Sequence, residues 1–160
     1  MLQKKKTLLF VLLSCCLGVA NAAPPDEPKP DTPKAVKKKP IDRSGKPRQG
    51  KASYYGKEFH GKKMADGTPM DPNSNIAASR TLPLGTKAEV INLQNGKSEV
   101  VEIRDRGPYV EGRIVDVTPK TAEKLGMKEE GVVPVEVRPI EIPDANGDIR
   151  RGVASAEQRD

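Results

Sequence analysis

Between Gly50 and Ile140, short runs of strand-forming residues alternate with turn signals, and this alternation restricts the possible folds more than any other feature. Asn95-Gly96 predicts a hairpin turn between two of the runs, because type I′ turns need residues that tolerate positive φ. Six such runs and a single helix indicate a mainly β protein with a closed or nearly closed barrel. The runs are Lys51 to Tyr55, Ile76 to Ser79, Lys87 to Leu93, Glu99 to Ile103, Arg113 to Val117 and Val132 to Val137.

One helix is predicted, from Pro119 to Leu125. Thr118 is suited to the N-cap, Pro119 to the first helical position, and Gly126 to the position after the end. The folded domain is expected to span residues 50–140, about ninety residues, which is enough for one hydrophobic core. Residues 141–160 lack apolar periodicity, so we expect a largely disordered C-terminal tail there.

The first 22 residues have the features of a secretory signal peptide. Three lysines precede an apolar run from Leu8 to Val19, and Ala20-Asn21-Ala22 has the pattern of a cleavage site. We therefore expect export to the periplasm or cell envelope, with no stable membrane span because the run is too short. The alternative is a lipobox, with the protein anchored as a lipoprotein through Cys15. We favour cleavage after Ala22, which would remove both Cys15 and Cys16.

Residues 23–49 are expected to form a disordered linker, since they include seven prolines and six lysines but no aromatic residue. Eight basic and four acidic residues give this linker a charge of +4, out of +6 for the whole chain. The predicted domain is nearly neutral, with 14 basic and 13 acidic residues. This distribution argues against a nucleic-acid-binding domain, which would have its positive charge on the folded surface.

Asp105 ends a strand-forming run and is followed by Gly107-Pro108, which turn the chain away from the sheet. A carboxylate at the end of a rigid strand has a fixed position and can still reach a groove. It is therefore the first candidate for a catalytic group. The alternative is that its neighbours Arg104 and Arg106 form surface ion pairs, which stabilise a fold very little.

An ordered series of motifs in this domain resembles the rare lipoprotein A family. The resemblance implies a six-stranded double-psi β-barrel with one short helix, and lytic cleavage of peptidoglycan glycan strands, preferentially strands without stem peptides. It implies glycan strands and septal-ring proteins as partners, and no cofactor. The motifs are Gly50 to Gly56, Phe59 to Lys62, Met64 to Gly67, Ala77 to Thr86, Asn92-Leu93 with Asn95-Gly96, Asp105 to Tyr109 and Gly112 to Asp116.

In the reaction that the resemblance implies, the C6 hydroxyl of N-acetylmuramic acid attacks the anomeric carbon and leaves a 1,6-anhydro product. An acid protonates the leaving oxygen, and a base takes the C6 proton. Asp105 matches the family's catalytic aspartate. Thr68 and Ser79 stand where active members have a glutamate and a histidine, and hydroxyls are uncharged near neutral pH. The alternative function is therefore a non-catalytic, expansin-like module that binds or remodels peptidoglycan.

Five other residues are candidates for substrate binding around Asp105, together with Thr68 and Ser79. Tyrosine rings can stack on sugars or lie in the core, and alternation in a strand sends Tyr54 and Tyr55 to opposite faces. Asp116 is either a second groove carboxylate or a buried acceptor for backbone amides. The only histidine has no partners for a metal site, so none is expected. The five candidates are Tyr55, His60, Arg106, Tyr109 and Asp116.

Overall fold

The computed structural model of the chain describes residues 40–152. The predicted signal peptide, the alternative lipid anchor at Cys15 and most of the predicted linker lie outside these residues, as do residues 153–160 of the predicted tail. Among residues 40–152, no helix is long and apolar enough to cross a membrane.

Seven strands and one α-helix make up the described part of the chain, with a short 3-10 helix at Lys57–Phe59. The helix α1 spans Pro119–Lys124. The strands are β1 (Arg48–Tyr54), β2 (Ile76–Ala78), β3 (Lys87–Asn92), β4 (Ser98–Asp105), β5 (Arg113–Val117), β6 (Val133–Pro143) and β7 (Ile149–Arg151).

Six of the strands close into a barrel in the order β1-β5-β2-β4-β3-β6, because β6 pairs back onto β1. Two pairs are parallel, β1 with β5 and β2 with β4, and the antiparallel pair β2–β5 joins them. The sequence prediction of a mainly β, six-stranded double-psi barrel is confirmed. The double-psi connection itself was implied by the family resemblance, since turn spacing does not specify which strands run parallel.

The barrel interior is filled by alternate residues of the strands. In β5, Val115 and Val117 are buried, whereas the side chains of Ile114 and Asp116 point to the other face. Leu125 and Met127, which follow α1, are fully buried with this core. Alternation therefore separates a packed interior from a second face on which polar side chains can be exposed.

The helix and the hairpin form as the sequence predicts. Thr118 is the N-cap of α1, and its hydroxyl oxygen accepts a hydrogen bond from the Thr121 amide at 3.3 Å. Gly126 follows the helix with a φ of 64°. In the turn between β3 and β4, Gly96 has a φ of 73° and its amide donates to the Asn92 carbonyl at 2.8 Å.

The structure differs from the predicted domain limits at both ends. Arg48 and Gln49, predicted to end the linker, belong to β1 and pair with β6. Beyond Glu141, where a disordered tail was expected, β6 continues to Pro143 and pairs with β7. All three residues of β7 are exposed, so backbone pairing forms this strand without any apolar pattern in the sequence.

Candidate active site

Two carboxylates lie in one row across three neighbouring strands. Ala78 of β2 is in register with Asp105 of β4 on one side and with Asp116 of β5 on the other. Ser53 of β1 continues the row beside Asp116. One strand therefore separates the two aspartates, which places their backbones roughly 10 Å apart. The backbone of Gly107 lies over the middle of this row, since a Cβ at that position would be 3.8 Å from the Ala78 Cβ and 3.9 Å from Asp116 Oδ2.

The carboxylate of Asp105 is positioned by three hydrogen-bond donors. Its Oδ1 accepts from the amides of Ala65 at 2.9 Å and Arg106 at 2.8 Å. Its Oδ2 accepts from the hydroxyl of Tyr55 at 3.0 Å. Both lone-pair directions of Oδ1 are thus occupied, whereas Oδ2 keeps one free for a further partner.

Tyr55 is suited to remain a donor to Asp105 at any physiological pH. Its side chain is buried, and burial raises the pKa of its hydroxyl well above the usual value of 10.0. The charge of Asp105, the hydrogen bond to it and the charge of Asp116 raise this pKa further. The hydroxyl therefore stays protonated and available to donate to Asp105.

Asp116 is largely buried, with a side chain that is 16% exposed. Burial raises the pKa of its carboxyl group, and the nearby charge of Asp105 acts in the same direction. The hydrogen bond from the Ser53 hydroxyl and the charge of Arg113, 4.0 Å away, oppose the shift but do not cancel it. Asp116 thus retains a proton more readily than an ordinary aspartate, and its hydrogen-bond donor is a side chain, not a backbone amide.

The side chains of the two arginines beside Asp105 bind groups other than its carboxylate. Arg104 Nε forms an ion pair with Asp66 Oδ2 at 2.6 Å, as the surface ion-pair alternative predicts. Arg106 Nη1 donates to the carbonyl oxygens of Ser79 at 2.9 Å and Leu82 at 2.6 Å. Arg106 therefore fastens the turn after β2 to the end of β4, and neither guanidinium is paired with the Asp105 carboxylate.

The hydroxyls of Thr68 and Ser79 are both engaged in local turns. The Thr68 hydroxyl donates to Asp66 Oδ1 at 2.7 Å. Ser79 is 3% exposed, and its Oγ accepts from the Leu82 amide at 3.3 Å. Ser79 does adjoin Asp105 through the backbone, because its amide donates to the Asp105 carbonyl at 3.1 Å. Neither hydroxyl forms a hydrogen bond with the Asp105 carboxylate.

The aromatic candidates divide between groove and core. Tyr54 packs against the barrel interior, and its hydroxyl donates to the Lys128 carbonyl at 3.3 Å. Tyr55 faces Asp105, so the two adjacent tyrosines do lie on opposite faces. Tyr109, in the loop after Gly107-Pro108, is 59% exposed, and His60 is also exposed.

Three residues near Asp105 or Asp116 were missed by the sequence predictions of site residues. Ser53 could have been found from strand alternation, because it precedes Tyr55 by two positions and shares its face. Phe59 packs edge-on against Tyr55, with ring centroids 5.8 Å apart and an angle of 61°. The amide of Ala65 could not have been found, since backbone donors leave no signal in residue type.

A cavity of about 770 Å³ lies beside the row and is lined by Ser79 but not by Asp105. Ile114, two residues before Asp116, forms part of its wall, and the segment 40–42 closes one side. Arg48 joins Asp42 of that segment to Thr81 of the turn after β2. Nowhere in residues 40–152 do three His, Cys, Asp or Glu side chains form a cluster able to bind a metal ion.

A family model described as lytic transglycolase matches residues 48–137, a stretch that includes the whole row from Ser53 to Asp116. Among curated relatives, the probable endolytic peptidoglycan transglycosylase RlpA of Aquifex aeolicus is 47% identical over 78 residues, covering 49% of this chain and 34% of the relative. The endolytic peptidoglycan transglycosylase RlpA of Neisseria meningitidis is 43% identical over 80 residues, covering 50% of this chain and 34% of the relative. This chain thus spans about a third of the length of these relatives.

Two solved structures are also similar. A Streptomyces papain inhibitor matches with a TM-score of 0.47 and 28% identity, over 60% of this chain and 96% of the inhibitor. An expansin from Clavibacter michiganensis matches with a TM-score of 0.47 and 18% identity, over 62% of this chain and 53% of the expansin.

Proposed function

Because this chain belongs to the lytic transglycolase family, we propose that it is an exported lytic transglycosylase that cleaves peptidoglycan glycan strands in the cell envelope. The names of its curated relatives support this substrate. The observation that carries the proposal is the row in which Asp105 and Asp116 lie one strand apart with Ala78 between them. Such a row offers two neighbouring carboxyl groups on one face of the barrel, and carboxyl groups can act as general acid and base on a sugar.

The reaction breaks the bond between C1 of N-acetylmuramic acid and O4 of N-acetylglucosamine, and forms a bond between C1 and the muramyl O6. One proton must leave O6, and one must reach the departing O4. We assign the base to Asp105, because Oδ2 keeps a free lone pair while Oδ1 is occupied by two amides. We assign the acid to Asp116, because burial helps it to retain a proton until the leaving oxygen takes it.

The environment of each carboxylate supports this division of roles. Tyr55 orients Asp105 Oδ2 through a hydrogen bond from a hydroxyl that stays protonated. Ser53 does the same for Asp116. Fixed orientation matters because proton transfer requires donor and acceptor atoms within hydrogen-bond distance in a defined geometry.

Strands without stem peptides are the proposed preferred substrate, and septal-ring proteins are the proposed partners. The predicted secretory signal and the predicted basic linker before β1 support delivery to the envelope, since a basic segment is suited to lie against anionic wall polymer. The two proposed export routes are cleavage of the signal peptide after Ala22 and lipid anchoring through Cys15. Mass spectrometry of the mature N-terminus distinguishes them.

The experiment that tests the proposal is the identification of the product. The purified chain is incubated with glycan strands stripped of stem peptides, in water enriched in ¹⁸O. A lytic reaction releases 1,6-anhydromuramyl ends that contain no ¹⁸O, because no water enters the product. Ends that contain ¹⁸O would instead indicate hydrolysis and would contradict the proposed mechanism.

A second candidate is a module that binds peptidoglycan without cutting it. The observation in its favour is that Thr68 and Ser79, at the positions of the family's glutamate and histidine, use their hydroxyls in local turns. A binding module would be recovered with sacculi but would release no anhydromuramyl ends. Product analysis and sacculus sedimentation on the same preparation therefore distinguish the two functions.

A further inference from the structure

A chain of direct contacts leads from Asp105 to a cation on the surface. The Tyr55 hydroxyl donates to Asp105 at 3.0 Å, and the Tyr55 ring packs against the edge of Phe59, with centroids 5.8 Å apart. The ammonium group of Lys62 lies 5.5 Å from the centroid of the Phe59 ring. An aromatic ring and a positioned cation are thus linked to the proposed base through Tyr55.

The ring is accessible, since Phe59 is 43% exposed although it is a large apolar side chain. Aromatic rings on a groove surface are a common means of binding the apolar face of a ligand. The contact with Tyr55 fixes the orientation of the Phe59 ring, so a sugar that stacks there has a defined position relative to Asp105.

The loop around Phe59 has positive charge that the domain does not neutralise. Within residues 40–152, the ammonium groups of Lys57, Lys62 and Lys63 form no ion pair with a carboxylate. The nearby Asp66 is already paired with Arg104. Of the three lysines, Lys62 is the one whose ammonium group is placed over the Phe59 ring.

We propose that Phe59 and Lys62 form a subsite for a muramyl residue whose lactyl group has a free carboxylate. The inference rests on the proposed function and names the part of that site that distinguishes stripped strands from peptide-bearing ones. Phe59 stacks on the sugar ring, and Lys62 donates a charge-assisted hydrogen bond to the carboxylate. When a stem peptide is attached, this carboxylate becomes a neutral amide and the charged contact is lost.

The position of its ammonium group over the Phe59 ring is the reason that Lys62, and not Lys57 or Lys63, is assigned to the carboxylate. A cation–π contact restricts a side chain that would otherwise sample many rotamers. Less conformational entropy is then lost when the carboxylate binds. Lys57 belongs to the same loop and has the same charge but lacks this contact, so it serves as the matched control.

The test compares binding of the purified full-length chain to two forms of the same glycan strand. One form has free lactyl carboxylates, and in the other they are converted to methylamides. Wild type should bind the free form about tenfold more tightly, the lower end of what a hydrogen bond to a charged group contributes. Lys62→Gln should remove the difference, Lys62→Arg should restore most of it, and Lys57→Gln should leave it unchanged. Phe59→Leu should weaken binding of both forms and also reduce the preference for the free form, because it removes the ring that positions Lys62.

Three outcomes would overturn the inference: equal binding of the two forms by wild type, an unchanged preference in Lys62→Gln, or an equal loss in Lys57→Gln. The last would indicate general electrostatic attraction by the loop. Because the subsite is tested by binding and the proposed function by product release, either one can fail without the other. A chain that prefers the free form through Lys62 but releases no anhydromuramyl ends would refute catalysis and retain the subsite.

Discussion

The Tyr55 hydroxyl lies 3.0 Å from Oδ2 of Asp105, although the two residues are fifty positions apart in the chain. The parallel and antiparallel pairs β1–β5, β5–β2 and β2–β4 connect the strands that end near them. Tyr55 therefore positions the proposed base through a contact that only the closed barrel provides.

Tyr55→Phe should lower the rate of product release about tenfold while leaving substrate binding nearly intact, and the protein should remain folded although the lost hydrogen bond lowers its stability. Phenylalanine preserves the ring contact with Phe59 and removes only the hydroxyl that orients Asp105 Oδ2. The net loss of one hydrogen bond to a charged group is about 1.5 kcal/mol, which corresponds to that factor. Initial rates over a range of substrate concentrations would detect it. An effect confined to KM would contradict a positioning role.

Asp116→Asn should change the pH dependence of stability. Because the folded-state pKa of Asp116 is raised, the folded state binds more protons than the unfolded state as pH rises above the usual value of 3.8. The Asp116 contribution to the free energy of unfolding is therefore present at low pH and is lost as pH rises through the raised pKa. Relative to wild type, Asp116→Asn should become more stable across this window.

Denaturant unfolding at a series of pH values measures this difference. Ser53→Ala provides the companion variant, since it removes a hydrogen bond that lowers the Asp116 pKa and should extend the window to higher pH. If the free energies of unfolding of wild type and Asp116→Asn changed in parallel throughout this pH window, the pKa of Asp116 would not be raised in the folded state.

Restoring the family's charged residues with Thr68→Glu and Ser79→His should raise activity at least about tenfold, since acid–base partners commonly contribute more than this. The Ser79 substitution should also destabilise the turn after β2 by about 1 kcal/mol, because it removes the acceptor for the Leu82 amide. The control is Thr68→Gln with Ser79→Asn. An equal gain of activity in this control would show that the ionisable groups of the introduced glutamate and histidine are not the cause of the gain.

The sequence was informative where structure is determined locally. Turn residues and alternation located β5 at Arg113 to Val117, and the capping residues located α1. Asp105 was also identifiable, because a charged residue at a strand end before Gly107-Pro108 is a local pattern. The double-psi topology and the role of Asp105 came from the family resemblance.

Contacts between segments that are distant in the chain could not be predicted from the sequence. Nothing in residue type indicates that the Ala65 amide donates to Asp105, or that Arg106 turns toward the carbonyls of Ser79 and Leu82. The strand β7 was missed for a related reason, because its three exposed residues show no apolar pattern, although they pair with β6 through the backbone.

The central claim is that Asp105 performs proton transfer, and the direct measurement is the yield of 1,6-anhydromuramyl ends from stripped strands with wild type and Asp105→Asn. Asparagine can accept the hydrogen bonds of the Ala65 and Arg106 amides through its oxygen, so folding and sacculus binding should persist. The account predicts product from wild type and a loss of about a hundredfold or more in Asp105→Asn. Release by Asp105→Asn at a rate close to wild type would contradict it.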